Sequence, residues 1–186
     1  MNLKLFSAPA TEPVTLAEAK SFLRVETTDD DTLITNAIVA ARTLVEQLCW
    51  RALITQTWEA SLDCFPDDGE PIELPLGAPL LSVTSVSYTD ENGSPQTLTG
   101  FQQDLVGSRI APAAAVGSWP STQTGALAAV VIRYVVGFGN AAAVPEPLKQ
   151  AVKLFLADLY DNRNPDVAAT NRASLALIGP YRLMEF

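Results

Sequence analysis

The stretch from Asp31 to Leu62 reads DTLITNAIVAARTLVEQLCWRALITQTWEASL and changes its hydrophobic period partway along. In its first part the apolar residues recur every three or four positions, which predicts an amphipathic helix from Asp31 to about Trp50. From Ile54 to Leu62 apolar and polar residues alternate, which is the pattern of a half-buried strand. The sequence therefore predicts that a helical part gives way to a strand part near residue 52.

Further helical segments lie on both sides of this stretch. Thr15-Leu16-Ala17-Glu18 is a capping box that opens a short helix to about Arg24. The run Thr27-Thr28-Asp29-Asp30-Asp31 is expected to cap the long helix and to place negative charge at its positive end. Toward the C-terminus, Pro145-Glu146-Pro147 opens a helix that stops at Asn162. Both ends of the chain are thus predicted to be helical.

The middle of the chain is predicted to be all-β. Strand patterns follow at Pro71–Pro75, Leu81–Thr89, Gln96–Val106 and Ala128–Val136, with a hairpin turn at Asp90–Gly93 and a long loop at Gly107–Gly125. The predicted fold class is α+β, a helical bundle of the N- and C-terminal segments with an inserted antiparallel β module. Its parts are residues 1–51 (N-terminal helices), 52–140 (acidic β module) and 141–186 (C-terminal helix and tail), the first and last forming one helical unit.

The charge is concentrated in this middle part. The chain has 186 residues, a formal net charge of −9 and 48% hydrophobic residues, enough apolar surface to build a core. Between Ala52 and Ser108 there are nine Asp and Glu residues and no Lys or Arg. An acidic surface repels phosphate, which argues against ordinary nucleic-acid binding. One interpretation is that the acidic surface is simply a solvated face. The other is that it lies near DNA without binding it, or that it contacts a basic partner.

The residue types present exclude several kinds of catalytic and metal site. The chain has no His, so it has no Ser-His-Asp or Cys-His system and no His metal ligand. Cys49 and Cys64 alone cannot form a four-ligand zinc site, and we expect them to be reduced rather than disulfide-bonded. Asp29-Asp30-Asp31 lacks the alternating spacing of a calcium loop, and no helix directly follows Gly137-Phe138-Gly139 to bind phosphate. We therefore expect no enzyme activity, catalytic residue, cofactor or metal.

Targeting signals are missing as well. The first ten residues contain one Lys and no apolar run long enough for a signal peptide. No window approaches the roughly 18–20 consecutive apolar residues of a membrane span. The protein is expected to be soluble and intracellular, without a membrane partner.

Several blocks of the sequence have a familiar pattern. At the N-terminal end they are residues 13–20, 22–25, 29–34, 40–42, 45–46 and 51–58, and near the C-terminus they are residues 144–151 and 159–163. Together these blocks resemble the head-to-tail connector (adaptor, or head-completion) proteins of tailed bacteriophages. The β insertion is similar to that of a long-insert subgroup also found in prophages and gene transfer agents.

The resemblance implies a virion structural protein with a function in assembly, genome packaging and ejection. Such a protein forms a homo-oligomeric ring of about twelve copies, a dodecamer that matches the portal. The ring contacts the portal protein on one side and a stopper or tail-completion protein on the other. DNA passes through its lumen without sequence-specific binding. The expected location is the head–tail interface of the virion, with assembly in the host cytoplasm.

Two sets of contact residues follow from this interpretation. By analogy with the family, the C-terminal tail would dock into the portal through Pro180, Tyr181, Arg182, Leu183, Met184 and Phe186. The other reading of this tail is terminal disorder. Arg42 and Glu46 on the long helix are predicted to contact a neighbouring subunit, the alternative being an i,i+4 pair within the helix.

A second function remains open from the sequence. The chain could be an acidic phage-encoded binding protein that mimics DNA and inhibits a host nucleic-acid enzyme. Its acids would then be spaced like phosphates over one continuous surface, whereas most of them fall in predicted turns.

Overall fold

The computed structural model describes residues 1–75, 79–161 and 172–182. The described chain is α+β, as predicted, with antiparallel sheets. The helices are α1 (Leu16–Leu23), α2 (Asp31–Cys49), α3 (Glu146–Asp161) and α4 (Arg172–Ile178). The strands are β1 (Asn2–Ser7), β2 (Gln56–Leu62), β3 (Ile72–Glu73), β4 (Leu80–Thr89), β5 (Pro95–Thr97), β6 (Phe101–Asp104), β7 (Arg109–Pro112) and β8 (Val130–Val136).

The chain divides into two compact units. The strand unit comprises Met1–Pro9 with Thr55–Gly137, and the helical unit comprises Ala10–Ile54 with Phe138–Phe186. The sequence analysis assigned residues 1–51 to the helical part, whereas Met1–Pro9 belongs to the strand unit because β1 pairs antiparallel with β2. A single six-residue strand has little pattern of its own, so its partner strand decides its structure.

The helical unit is built around one apolar core. Its fully buried residues come from α2 and α3 and from the segments that flank them; examples are Ile34, Val45, Leu148 and Leu156. The predicted capping box is present, since Thr15 accepts from the backbone N–H of Glu18 and the Glu18 carboxylate accepts from that of Thr15. These bonds lower the pKa of Glu18, the backbone N–H of Thr15 having the largest effect.

The start of α2 differs from its prediction. Asp30 occupies the N-cap position but makes no side-chain capping bond. Its Oδ2 instead accepts from the Tyr160 hydroxyl at 2.6 Å, and Asp31 pairs with Lys20 at 2.5 Å. The acidic run therefore connects α2 to α3 and α1, because these longer-range partners compete with the local cap for the carboxylates.

The strand unit contains a five-stranded sheet in the order β1-β2-β8-β4-β5 and a three-stranded sheet in the order β3-β7-β6. In the larger sheet Ala60, Ile132 and Val86 lie opposite one another and are buried, so this face belongs to the core. The hydroxyl of the fully buried Tyr134 donates to the carbonyl of Pro75 at 2.8 Å, beyond the end of β3.

Two strand predictions in this unit were wrong. The single strand expected at residues 96–106 is two strands, β5 and β6, which belong to different sheets. The loop expected at residues 107–125 contains β7, which pairs with both β3 and β6. Gly100 lies between β5 and β6 with a φ of +81°, where the chain changes sheets.

Candidate interaction surfaces

Arg42 and Glu46, the predicted inter-subunit residues, form an ion-pair network inside the helical unit. The Nη1 of Arg42 lies 2.5 Å from Glu46 Oε2, and its Nε lies 2.7 Å from Glu12 Oε2. Glu46 Oε1 also accepts from the backbone N–H of Leu53 at 2.8 Å. Arg42 and Glu46 are only 7% and 8% exposed. The pair within one helix is thus present, and a contact of either residue with another subunit stays a prediction.

Helical geometry explains why this pair lies inward. Arg42 follows Ile38 by four positions and precedes Val45 by three, and both of these neighbours are buried. Residues three or four apart share a helix face, so Arg42 lies at the border of the apolar stripe rather than opposite it. Glu46 continues the same row. The four-residue spacing of Arg42 and Glu46 is visible in the sequence. The network that holds Arg42 inward also includes Glu12, which lies 30 positions away.

The opposite face of α2 is exposed and carries no charge. We call it the outer face of α2; its exposed residues are Leu33, Asn36, Val39, Ala40, Gln47 and Trp50. Leu33 and Trp50 are 54% and 55% exposed, although both are large and apolar. The sequence analysis did not identify this face. The available signal is that α2 has only three charged residues, Asp31, Arg42 and Glu46, and the structure pairs all three within the chain.

The start of the predicted portal-binding tail is held by the helical unit. Arg51 Nε donates to the backbone carbonyl of Tyr181 at 2.5 Å, and the half-buried Tyr181 ring packs against the helical core. Pro180 and Arg182 are exposed. The other predicted tail residues, Leu183, Met184 and Phe186, lie outside the described residues. The backbone carbonyl of Tyr181 and part of its ring are therefore engaged within the subunit.

The strand unit carries most of the negative charge. It has three Lys and Arg residues against nine Asp and Glu, a net charge of −6, while the helical unit has nine against twelve, a net charge of −3. Two of the strand unit's acids are in ion pairs among the described residues: Glu59 with Arg133 at 2.6 Å and Asp104 with Arg109 at 2.9 Å. The surplus of acids lies mainly in turns.

Several of these turn acids bind their own backbone. Asp90 accepts from the backbone N–H of Ser94, the side-chain amide of Gln96 and the N–H of Asn92, all at 2.9 Å. These bonds lower the pKa of Asp90, that from Ser94 most strongly. Asp63 similarly accepts from the N–H of Ala128 at 2.8 Å. The carboxylates therefore shape the turns and add negative charge to the surface.

Chemical groups typical of a metal or redox site are sparse in the described residues. Cys49 and Cys64 are both free; burial raises the pKa of the Cys49 thiol to about 11, whereas Cys64 is exposed. Within residues 1–75, 79–161 and 172–182, no three His, Cys, Asp or Glu side chains come together as a metal site would require. Among the same residues, no helix is long and apolar enough to cross a bilayer.

Known proteins resemble this chain in both sequence and structure. A family model described as phage gp6-like head-tail connector protein matches residues 13–99. No curated protein sequence matches the chain. A chain in the neck of an empty gene transfer agent (GTA) particle, computed with C6 symmetry, superposes with a TM-score of 0.83 at 26% identity, covering 100% of this chain and 97% of that one.

Two further structures show the same similarity. A chain of the virion of a native GTA particle gives a TM-score of 0.81 at 26% identity, and a chain of the native GTA neck computed with C12 symmetry gives 0.81 at 27% identity. Each comparison covers 100% of this chain and 97% of the other. The resemblance predicted from the sequence is confirmed: residues 13–99 match the phage gp6-like head-tail connector model, and the whole chain is similar to chains of GTA necks and of a GTA virion.

Proposed function

We propose that this protein forms a ring between the portal and the stopper or tail-completion protein of a phage or gene transfer agent, leaving a channel for DNA. The observation that carries the proposal is the full-length similarity to a chain of a GTA neck computed with C12 symmetry. Twelve copies arranged head to tail close into a ring, which is the arrangement that a symmetric channel requires. Its place is at the head–tail interface of the virion, after assembly in the host cytoplasm.

The charge of the strand unit supports a position near DNA. A net charge of −6 on this unit repels the phosphate backbone, so DNA passing along such a surface meets no site that retains it. The acids are held in defined turns by their own backbone hydrogen bonds, as at Asp90. We therefore assign the strand unit to the channel side of the ring.

The tail supports a contact with the portal. Arg51 fixes the carbonyl of Tyr181, so the segment after Arg182 starts from a defined point on the helical unit. Leu183, Met184 and Phe186 are large apolar residues in a four-residue segment, and such residues are typical anchors of an interface. Pro180 and Arg182 complete the proposed portal contact, together with the exposed part of Tyr181.

The test is to mix the full-length protein with purified portal and to measure mass and symmetry by native mass spectrometry and negative-stain electron microscopy. We expect a ring of about twelve copies on the portal. A variant with Leu183, Met184 and Phe186 all changed to Ser keeps the chain length and should bind the portal at least about tenfold more weakly. Its unfolding free energy should stay within about 0.5 kcal/mol of wild type, because the proposal assigns these three residues to the portal contact and not to the core.

Two outcomes would contradict parts of this proposal. A Ser variant that binds the portal like the wild type would remove the tail from the contact but keep the ring. A wild-type chain that binds no portal at any ratio, and instead inhibits a DNA-binding enzyme, would favour the DNA mimic. The turn geometry disfavours that second function, because acids such as Asp63 and Asp90 lie in separate turns, where they accept hydrogen bonds from backbone N–H groups of this chain.

A further inference from the structure

We infer that the outer face of α2 is the surface through which neighbouring copies of this chain pack in the ring, an inference that rests on the proposed function. The first observation is its exposure. Leu33 and Trp50 are more than half exposed, and Val39 is 40% exposed. Exposed apolar side chains that share one face of a helix are typical of a surface that is covered in the assembly.

The second observation is the absence of charge. A helix face that stays in water usually carries Lys, Arg, Asp or Glu, yet the outer face of α2 has none over its whole length. The three charges of α2 are used by Lys20, Glu12 and the Arg42–Glu46 pair inside the subunit. The charged side chains of α2 therefore lie away from its outer face, although solvent could have stabilised charges there.

The third observation is the spacing. Together with the half-buried Thr43, the exposed residues Leu33, Asn36, Ala40, Gln47 and Trp50 follow the alternation of three and four residues that places side chains in a single seam along a helix. From Leu33 to Trp50 this seam is roughly 26 Å long at about 1.5 Å per residue. Ala40, at its middle, permits close approach of another backbone, and Asn36 and Gln47 can form hydrogen bonds at a neutral interface.

The proposed ring identifies the occupant as a second copy, because every copy in a ring packs against two others. Each copy carries −9, so two copies repel each other wherever their acids face one another. A contact between like-charged copies is therefore more favourable on a surface that brings no acids, and the outer face of α2 is such a surface. In a ring the contact is heterologous, so this face meets a different surface of the next copy.

The first experiment is photo-crosslinking in the portal-bound assembly. p-Benzoylphenylalanine replaces Gln47 on the outer face and, in a control chain, Ser21, which is exposed on α1 outside this face. After irradiation, denaturing mass spectrometry should find two copies of the chain covalently joined for position 47 but not for position 21. Sequencing of the joined peptides then identifies the opposing surface.

The second experiment adds charge without changing shape. The double variant Asn36→Asp with Gln47→Glu places two negative charges on the outer face, and the control variant Asn2→Asp with Asn92→Asp places two on exposed sites of the strand unit. We expect half-assembly of the first variant to need a roughly tenfold higher protein concentration, and added salt to reduce this difference. The control should assemble like the wild type.

The possible failures are distinguishable. Crosslinks from position 47 to the portal alone, or normal assembly of the Asn36→Asp, Gln47→Glu variant, would overturn the inference and leave the proposed ring intact. A wild-type chain that forms no ring on the portal would overturn the proposed function and this inference together. Circular dichroism of each variant confirms that loss of assembly is not loss of fold.

Discussion

The two units of this protein use their charged residues in opposite ways. In the helical unit, cations and acids meet one another across elements, as in the Lys20–Asp31 pair and the Glu12–Arg42–Glu46 network. In the strand unit, acids outnumber cations three to one, and carboxylates such as Asp90 bind backbone N–H groups in turns. One unit therefore presents a neutral helical face, and the other a surface of surplus negative charge.

This difference shows how an acidic chain can still assemble with copies of itself. In α2, where contact between copies is proposed, the charged residues are paired inside the subunit. The excess of Asp and Glu over Lys and Arg remains mainly on the strand unit, which is proposed to face DNA. A uniform distribution of the same net charge would oppose packing on every side. The predictions below test this division of roles, beginning with the largest expected effect.

Arg42→Ala should be the most damaging single change to the helical unit. It leaves the Glu12 and Glu46 carboxylates partly buried without their shared guanidinium, which costs about 3–5 kcal/mol of unfolding free energy. Urea denaturation followed by circular dichroism measures this loss. Arg109→Ala in the strand unit is the matched control, because its pair with Asp104 is solvent-exposed and should contribute far less. Equal losses in the two variants would contradict the proposed difference between the units.

The separate cores can be tested by truncating one large residue in each. Leu148→Ala in α3 and Ile132→Ala in β8 each remove a fully buried side chain and should cost about 2–5 kcal/mol. Hydrogen exchange with mass spectrometry should show faster exchange mainly in the unit that carries the substitution. If Ile132→Ala instead loosened α2 and α3 as much as β2 and β8, the two units would not be independent in stability.

Tyr134→Phe tests the hydrogen bond inside the strand unit. The change leaves the Pro75 carbonyl without its 2.8 Å donor in a buried setting, which should cost about 1–3 kcal/mol. Tyr160→Phe, which removes the bond to Asp30 near the surface of the helical unit, should cost less. Thermal melts of the two variants measure their losses of stability. A larger loss for Tyr160→Phe than for Tyr134→Phe would contradict the expectation that the more buried hydrogen bond contributes more.

The smallest expected effect is a pH dependence from Asp90. Its pKa is lower when folded than when unfolded, so its contribution to stability is present above the ordinary carboxyl pKa of about 3.9 and is lost as the pH falls through the folded value. Asn can accept the two backbone bonds without titrating, but its amide nitrogen cannot accept from the Gln96 amide. Asp90→Asn should therefore melt slightly below the wild type at pH 7 and lose less stability between pH 5 and pH 2.5. Parallel slopes in the two proteins would rule out this contribution.

Much of the helical unit was predictable because its signals are local. The capping box at Thr15 and Glu18, the extent of α2 and the start of α3 each follow from residues within a few positions of one another. The family resemblance rests on the same blocks. The weaker predictions concern the contact residues. Arg42 and Glu46 were selected from the polar positions of α2, yet Glu12 and Leu53 bind them from distant parts of the chain.

The strand unit was less predictable because strands depend on partners that lie far away in sequence. Residues 54–62 alternate between apolar and polar and residues 128–136 are strongly apolar, and the strands within them pair as β2 and β8. β1 and β7 have weak patterns of their own, so their partners decide their structure. β1 pairs with β2, which lies 50 or more residues away in the sequence. β7 lies between β3 and β6 and pairs with both. The change of sheet at Gly100 likewise had no clear signal in the sequence.

The sequence by itself determined the fold class, the family resemblance and the net charge, because hydrophobic period, caps and composition are properties of short segments or of the whole chain. Only the tertiary structure decided which charges are neutralised, since an ion pair needs two side chains that folding brings together. It therefore turned Arg42 and Glu46 inward and left the outer face of α2 neutral. The surface proposed for assembly is thus a result of packing rather than of any motif.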